Sequence, residues 1–128
     1  MKKLLLGIFA GLMLMTFSSQ TEASLLSDGN GCYYWNGDRN YLAVVRAPNF
    51  VRFVRMDSCR FATMEDYGYR AVEVILSTGS AEGNSVIFND VAYILPNGSI
   101  KHGLGGGWER VSIGSTNSVV RAIYNAAR

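Results

Sequence analysis

Val91-Ala92-Tyr93-Ile94-Leu95-Pro96-Asn97-Gly98-Ser99-Ile100-Lys101-His102 decides the fold. Strand formers run to Leu95, Pro96-Asn97-Gly98 turns the chain, and Ser99 to His102 runs back, which is the pattern of a β-hairpin. Upstream, Tyr69 to Ser77 alternates with a period of two. Val72, Val74 and Leu76 fall on one side and Ala71, Glu73 and Ile75 on the other, as in a strand with one well-buried face. Antiparallel sheet is therefore the expected frame of the molecule.

Working outward, Cys32-Tyr33-Tyr34-Trp35 reads as a first strand and Asn36 to Asn40 as a turn opened by the hairpin signal Asn36-Gly37. Tyr41 to Arg46 resumes as a strand until Pro48-Asn49, and Phe50 to Met56 follows. Asp57-Ser58 turns the chain into Cys59. Thr63-Met64-Glu65-Asp66 resembles a helix-capping box, with Gly68 limiting any helix there to about one turn. Thr78 to Asn84 reads as a polar turn, Val86-Ile87-Phe88 as a short strand, Gly103 to Gly107 as a flexible loop or bulge, and Trp108 to Ile113 as the last strand.

From Ser115 the period changes. Val119, Val120, Ile123, Tyr124 and Ala127 share one helical face, opposite Asn117, Arg121 and Asn125. The expected fold is thus α+β: a small single domain with a mainly antiparallel sheet of about five to seven strands. A C-terminal amphipathic helix packs on that sheet, and one disulfide completes it.

The first 23 residues read as an address and not as part of this domain. Lys2 and Lys3 precede the uncharged apolar run Leu4 to Met15, and Thr21-Glu22-Ala23 ends on a small residue. That order is a secretory signal peptide, with cleavage expected after Ala23 and a mature domain over 24–128. The apolar run falls short of the roughly 20 residues a spanning helix needs, and no later segment is apolar for long enough, so no membrane span is expected after cleavage. The expected location is the periplasm or the cell exterior. In that setting Cys32 and Cys59 are expected to pair, closing a loop worth on the order of 3–4 kcal/mol.

Losing Lys2, Lys3 and Glu22 takes the formal charge from +2 to roughly +1, too weak for a nucleic-acid-binding footprint. The remaining cations are almost all arginine. Arg46, Arg52, Arg55, Arg60 and Arg70 crowd the middle of the chain, but the odd spacing of Arg52 and Arg55 sends them to opposite faces of a strand.

Catalytic signals are thin. His102 is the single histidine, so a Ser-His-Asp or Cys-His site would have to use it, with Asp90, Ser99 and Glu109 as neighbours in sequence. Gly79-Ser80-Ala81-Glu82-Gly83 sets its serine one position too early for a nucleophile elbow. One histidine with paired cysteines cannot supply a usual zinc set. Asp28-Gly29-Asn30 and Asn36 to Asn40 begin like calcium loops but lack the glycine and the closing glutamate. Gly103 to Gly107 lacks the Lys-Ser/Thr ending of a phosphate loop and precedes a strand. No cofactor and no metal is expected.

The expected function is therefore a non-enzymatic binding protein of the bacterial envelope or exterior, acting on another protein as an inhibitor, immunity-type or accessory factor. An alternative is a glycan-binding adhesin or toxin-binding subunit. Tyr33, Tyr34, Trp35 and Tyr41 could then stack on sugar beside Asp38 and Arg39. A second alternative is a small secreted hydrolase dependent on His102.

Overall fold

The computed structural model describes residues 25–64, 69–80, 86–103 and 106–128. The segment read as an export signal lies outside the described residues, as do Asp66 of the capping box and most of the polar turn up to Asn84. Among the described residues, nine strands form one antiparallel sheet: β1 (Leu25–Ser27), β2 (Tyr33–Trp35), β3 (Tyr41–Arg46), β4 (Phe50–Arg55), β5 (Arg60–Met64), β6 (Tyr69–Ser80), β7 (Val86–Ile94), β8 (Ser99–His102) and β9 (Trp108–Arg110). One helix, α1 (Thr116–Ala126), closes the chain.

The sheet order is β1-β2-β3-β4-β6-β7-β8-β9, and it curls into a half-barrel around a core on its concave side. The twelve-residue β6 is the spine. One edge of it pairs with β7; the other pairs with β4 over Leu76 to Ser80 and with β5 over Tyr69 to Glu73. Between β4 and β5 the chain makes a 3-10 turn, Met56–Ser58. Ile75 N–H faces that gap, and it donates to Ser58 Oγ at 2.8 Å, so the break leaves no orphan donor. Thr63 and Met64, read as the start of a helix, are strand residues of β5 because this free edge of β6 recruits them.

The curl brings the far end of the sheet back to β3. The β3–β4 register shifts between Ala43 and Val45, a bulge of the kind that bends a strand. At that bulge Val44 C=O accepts from Ser112 N–H at 2.8 Å, and Arg46 N–H donates to Ser112 Oγ at 3.0 Å. The chain beyond β9 is stitched to β3 there.

Leu42, Val54, Val74, Leu76, Ile94 and Ile100 fill the concave core with no appreciable exposure. Helix α1 covers one end of it through Val119 and Ile123. Ser115 caps the helix, its Oγ accepting from Ser118 N–H. Tyr124 O–H donates to Ile94 C=O at 2.8 Å, which fixes the helix to β7. A smaller cluster on the outer face gathers Ala43, Val51, Phe53 and Ile113.

The expected disulfide is not formed: Cys32 and Cys59 are both buried thiols. Register explains it. Tyr34 lies opposite Leu42, so Cys32 is level with Val44, whereas Cys59 follows the 3-10 turn beyond the Tyr41 end of β3. That is roughly 10 Å along the strand direction, beyond the Cα separation of about 7 Å that a disulfide can bridge. The turn, the hairpin over Val91 to His102 and the C-terminal helix lie where the sequence put them. The expected count of five to seven strands is low because β1 and β5 went unread. Val86 to Phe88 is also continuous with the strand that follows it.

Candidate functional site

At the end of the concave face that α1 does not cover, five neighbouring strands each contribute one polar side chain. Arg52 comes from β4, Thr78 from β6, Asp90 from β7, His102 from β8 and Glu109 from β9. Alternation puts them there. Arg52 shares a face with Val54, Thr78 with Leu76, and Asp90 with Ala92, while His102 lies opposite Ala92 and Glu109 opposite Ile100.

The contacts are short and mutually satisfied. Arg52 Nε donates to Glu109 Oε1 at 2.6 Å and Arg52 Nη1 to Thr78 Oγ1 at 2.7 Å. His102 Nδ1 lies 2.9 Å from Asp90 Oδ2, and its Nε2 lies 2.8 Å from Glu109 Oε1. The Arg52 and His102 side chains are only 15% and 14% exposed. Both ring nitrogens of His102 thus face carboxylate oxygens, and neither is aimed at a serine or cysteine. Of the three partners named from sequence, the fold delivers Asp90 and Glu109. Ser99 Oγ instead accepts from Arg110 Nη1. Arg52 and Thr78 were the members that sequence reasoning did not set beside His102, and of these Arg52 carries the charge. Its alternation with Val54 is the signal that places it on the concave face.

The aromatic segment near the N-terminus is divided between two faces. Tyr34 is buried, with the Arg39 guanidinium 4.8 Å over its ring. Trp35 stacks on Phe53 at 5.3 Å and meets Tyr41 edge-on at 5.5 Å, and Tyr33 packs on the same outer cluster. Asp38 Oδ1 accepts from Asn40 N–H inside its own turn. The mid-chain arginines are equally dispersed: Arg52 turns inward, Arg55 faces Asp57, Arg60 pairs with Glu73, and Arg70 lies over the Phe61 ring.

The outer face of β5 to β9 carries a row that no sequence motif announced. Arg60, Glu73, Tyr93, Lys101 and Trp108 stand directly opposite one another across five adjacent strands. The Arg60 guanidinium pairs with Glu73, Tyr93 O–H donates to Glu73 Oε2 at 3.3 Å, and Lys101 Nζ sits 5.2 Å over the Trp108 ring. Burial, and then the adjacent Glu73 carboxylate, raise the Tyr93 phenol above its ordinary value and keep it a donor. The neighbouring row sets Ile75 against Val91. A shallow, largely apolar dimple of about 250 Å³ lies there, lined by Ile75, Asn89, Asp90 and Val91. Trp108 is 45% exposed and Val91 41%.

Among the described residues, no group of three or more His, Cys, Asp or Glu side chains is placed to hold a metal ion. No protein-family model matches this chain, no curated protein matches it, and no solved structure matches it.

Proposed function

We propose that this chain is a non-enzymatic binding protein, exported to the periplasm or the cell exterior, which presents the outer face of β5 to β9 to another protein. One observation carries the reading: the cross-strand row from Arg60 to Trp108, flanked by the Ile75–Val91 dimple. Tryptophan, tyrosine and arginine are the side chains that dominate protein interfaces, where they work best around an apolar pocket that a partner side chain can fill. Here the row is held by its own cross-strand contacts, so little freedom is lost on docking. The concave network, by contrast, spends its hydrogen bonds on itself. A partner fitting this face offers an apolar side chain to the dimple and a carboxylate or carbonyl to the outer edge of Arg60.

Affinity capture from envelope extract tests this with three baits. The wild-type protein should retrieve one dominant protein. The double variant Tyr93→Ala/Trp108→Ala should lose it while keeping its circular dichroism spectrum, and Arg46→Ala should keep it. Retention of the partner by the folded double variant would refute the proposed face.

A further inference from the structure

A second recess lies on a different part of the molecule, between the β1–β2 loop and helix α1. It measures about 210 Å³, with Cys32 and Tyr34 among its lining. On one side stands Asp28. On the other stand Ser118, Arg121 and Asn125, which successive turns of α1 bring to one stripe.

The recess is built rigidly. Gly31 C=O accepts from Ser115 N–H at 2.8 Å and Asp28 N–H donates to Cys32 C=O at 2.9 Å, locking the loop against the helix start. Gly31 has φ 97°, and a Cβ there would meet Ser118 Oγ at 2.8 Å, so the loop approaches as closely as the side chains allow. One oxygen of Asp28 is held by the loop, and the other is left to accept. Its Oδ1 accepts from Asn30 N–H at 2.7 Å and Cys32 N–H at 3.2 Å, and its Oδ2 faces Arg39.

Most of the other arginines are engaged within the molecule, Arg70 over the Phe61 ring and Arg110 on Ser99 Oγ and Asn97 C=O. Arg39, Arg52, Arg55 and Arg60 each face a carboxylate within 4 Å. Arg121 faces none among the described residues, yet it stands at the rim of a recess beside the Asn125 carboxamide. A guanidinium next to a carboxamide matches the planar, two-oxygen acceptor of a carboxylate. The anionic Asp28 at the other end repels acid and accepts from a donor.

We infer that this recess binds a small carboxylate carrying a hydrogen-bond donor at its other end. Its acid is gripped by Arg121 and Asn125, and its donor is turned toward Asp28. At about 30 Å³ for each water displaced, the volume corresponds to about seven waters, which suits a single amino or hydroxy acid or the terminal residue of a peptide. A free amino or hydroxy acid and the C-terminal residue of a peptide share this chemistry. The inference is independent of the outer face.

Titrating the 15N-labelled protein with L-serine, L-serinamide and glycyl-L-serine tests it. Serine or glycylserine should shift the backbone amides of Ser118, Arg121 and Asn125 saturably, and serinamide should not. Binding of serine identifies a free acid as the ligand; binding of glycylserine alone identifies a peptide end. Arg121→Gln should weaken the response about tenfold, with Arg121→Lys intermediate. No saturable shift from either acid up to about 50 mM, equal binding of serinamide, or an unchanged response in Arg121→Gln would overturn the inference.

Discussion

Arg52 Nε sits 2.6 Å from Glu109 Oε1, although β4 and β9 are separated by three intervening strands. In a flat sheet those strands would lie about 19 Å apart. The contact therefore exists only because the sheet curls, and it holds the curl at the end that α1 leaves open. His102 adds Asp90 to the same network. Five strands are thus joined by side chains across the concave face as well as by backbone along it.

Glu109→Gln should destabilise the fold by about 2–3 kcal/mol, because it leaves Arg52 partly buried without its counter-charge and disturbs the acceptor that faces His102. Combined with Arg52→Met, the total loss should be smaller than the sum of the two single losses by about 1 kcal/mol or more. Urea denaturation of the four proteins in the cycle measures both quantities. Strict additivity would mean that the pair does not couple.

Cys32 and Cys59 should behave as two shielded thiols. Ellman's reagent should find almost none in the native protein and two per chain in guanidinium. Burial, and then the nearby Asp57, push the Cys59 thiol up from 9.0 to about 11. A group raised on folding stabilises fully below its unfolded value, and that contribution is lost as pH climbs through the folded value. Denaturation midpoints should therefore fall between pH 9 and about 11. Cys59→Ala should flatten part of that fall. Zero thiols in guanidinium would instead report a disulfide.

Asp28 has the opposite sign. Hydrogen bonds from the Asn30 backbone, chiefly, and from Cys32 lower its carboxyl below the ordinary 3.8. Its contribution is present at neutral pH and is lost as pH falls through the lowered value. Asp28→Asn should therefore blunt the acid limb of the stability profile, read from thermal melts between pH 2 and 5. An unaltered acid limb would remove Asp28 from the account.

Helix α1 should be held by a few identifiable contacts. Tyr124→Phe removes the hydroxyl that donates to Ile94 C=O and should cost about 1 kcal/mol. Ile123→Ala empties a fully buried site and should cost about 2–4 kcal/mol. Thermal unfolding of the two variants ranks them, and the reverse order would count against this packing.

Much of this fold is legible in the chain because local chemistry and the final structure agree there. Pro96-Asn97-Gly98 makes a turn wherever it stands, Asn36 and Gly37 adopt the positive φ their turn needs, and α1 follows its own apolar stripe. β5 was hidden because Thr63-x-x-Asp66 imitates a helix start, and only the free edge of β6 makes Arg60–Met64 a strand. The unpaired cysteines follow from strand register, which spacing in sequence does not report. Asp90 and Glu109 were within reach of His102 in sequence. Arg52, 57 residues from Glu109, joins them only through the curl. The outer row is hidden for a similar reason: its five residues come from five strands and share no motif.

The central claim is that the outer face of β5 to β9 is the working surface. Its most direct test is the affinity of the captured partner for Trp108→Ala and for Trp35→Ala, measured side by side by calorimetry. Losing an interface tryptophan costs about 2 kcal/mol or more, so Trp108→Ala should weaken binding about thirtyfold. Trp35, stacked on Phe53 in the other cluster, should leave affinity unchanged in protein that remains folded. Unchanged affinity for Trp108→Ala, with loss for folded Trp35→Ala, would contradict the account and move the surface to the aromatic segment of β2 and β3.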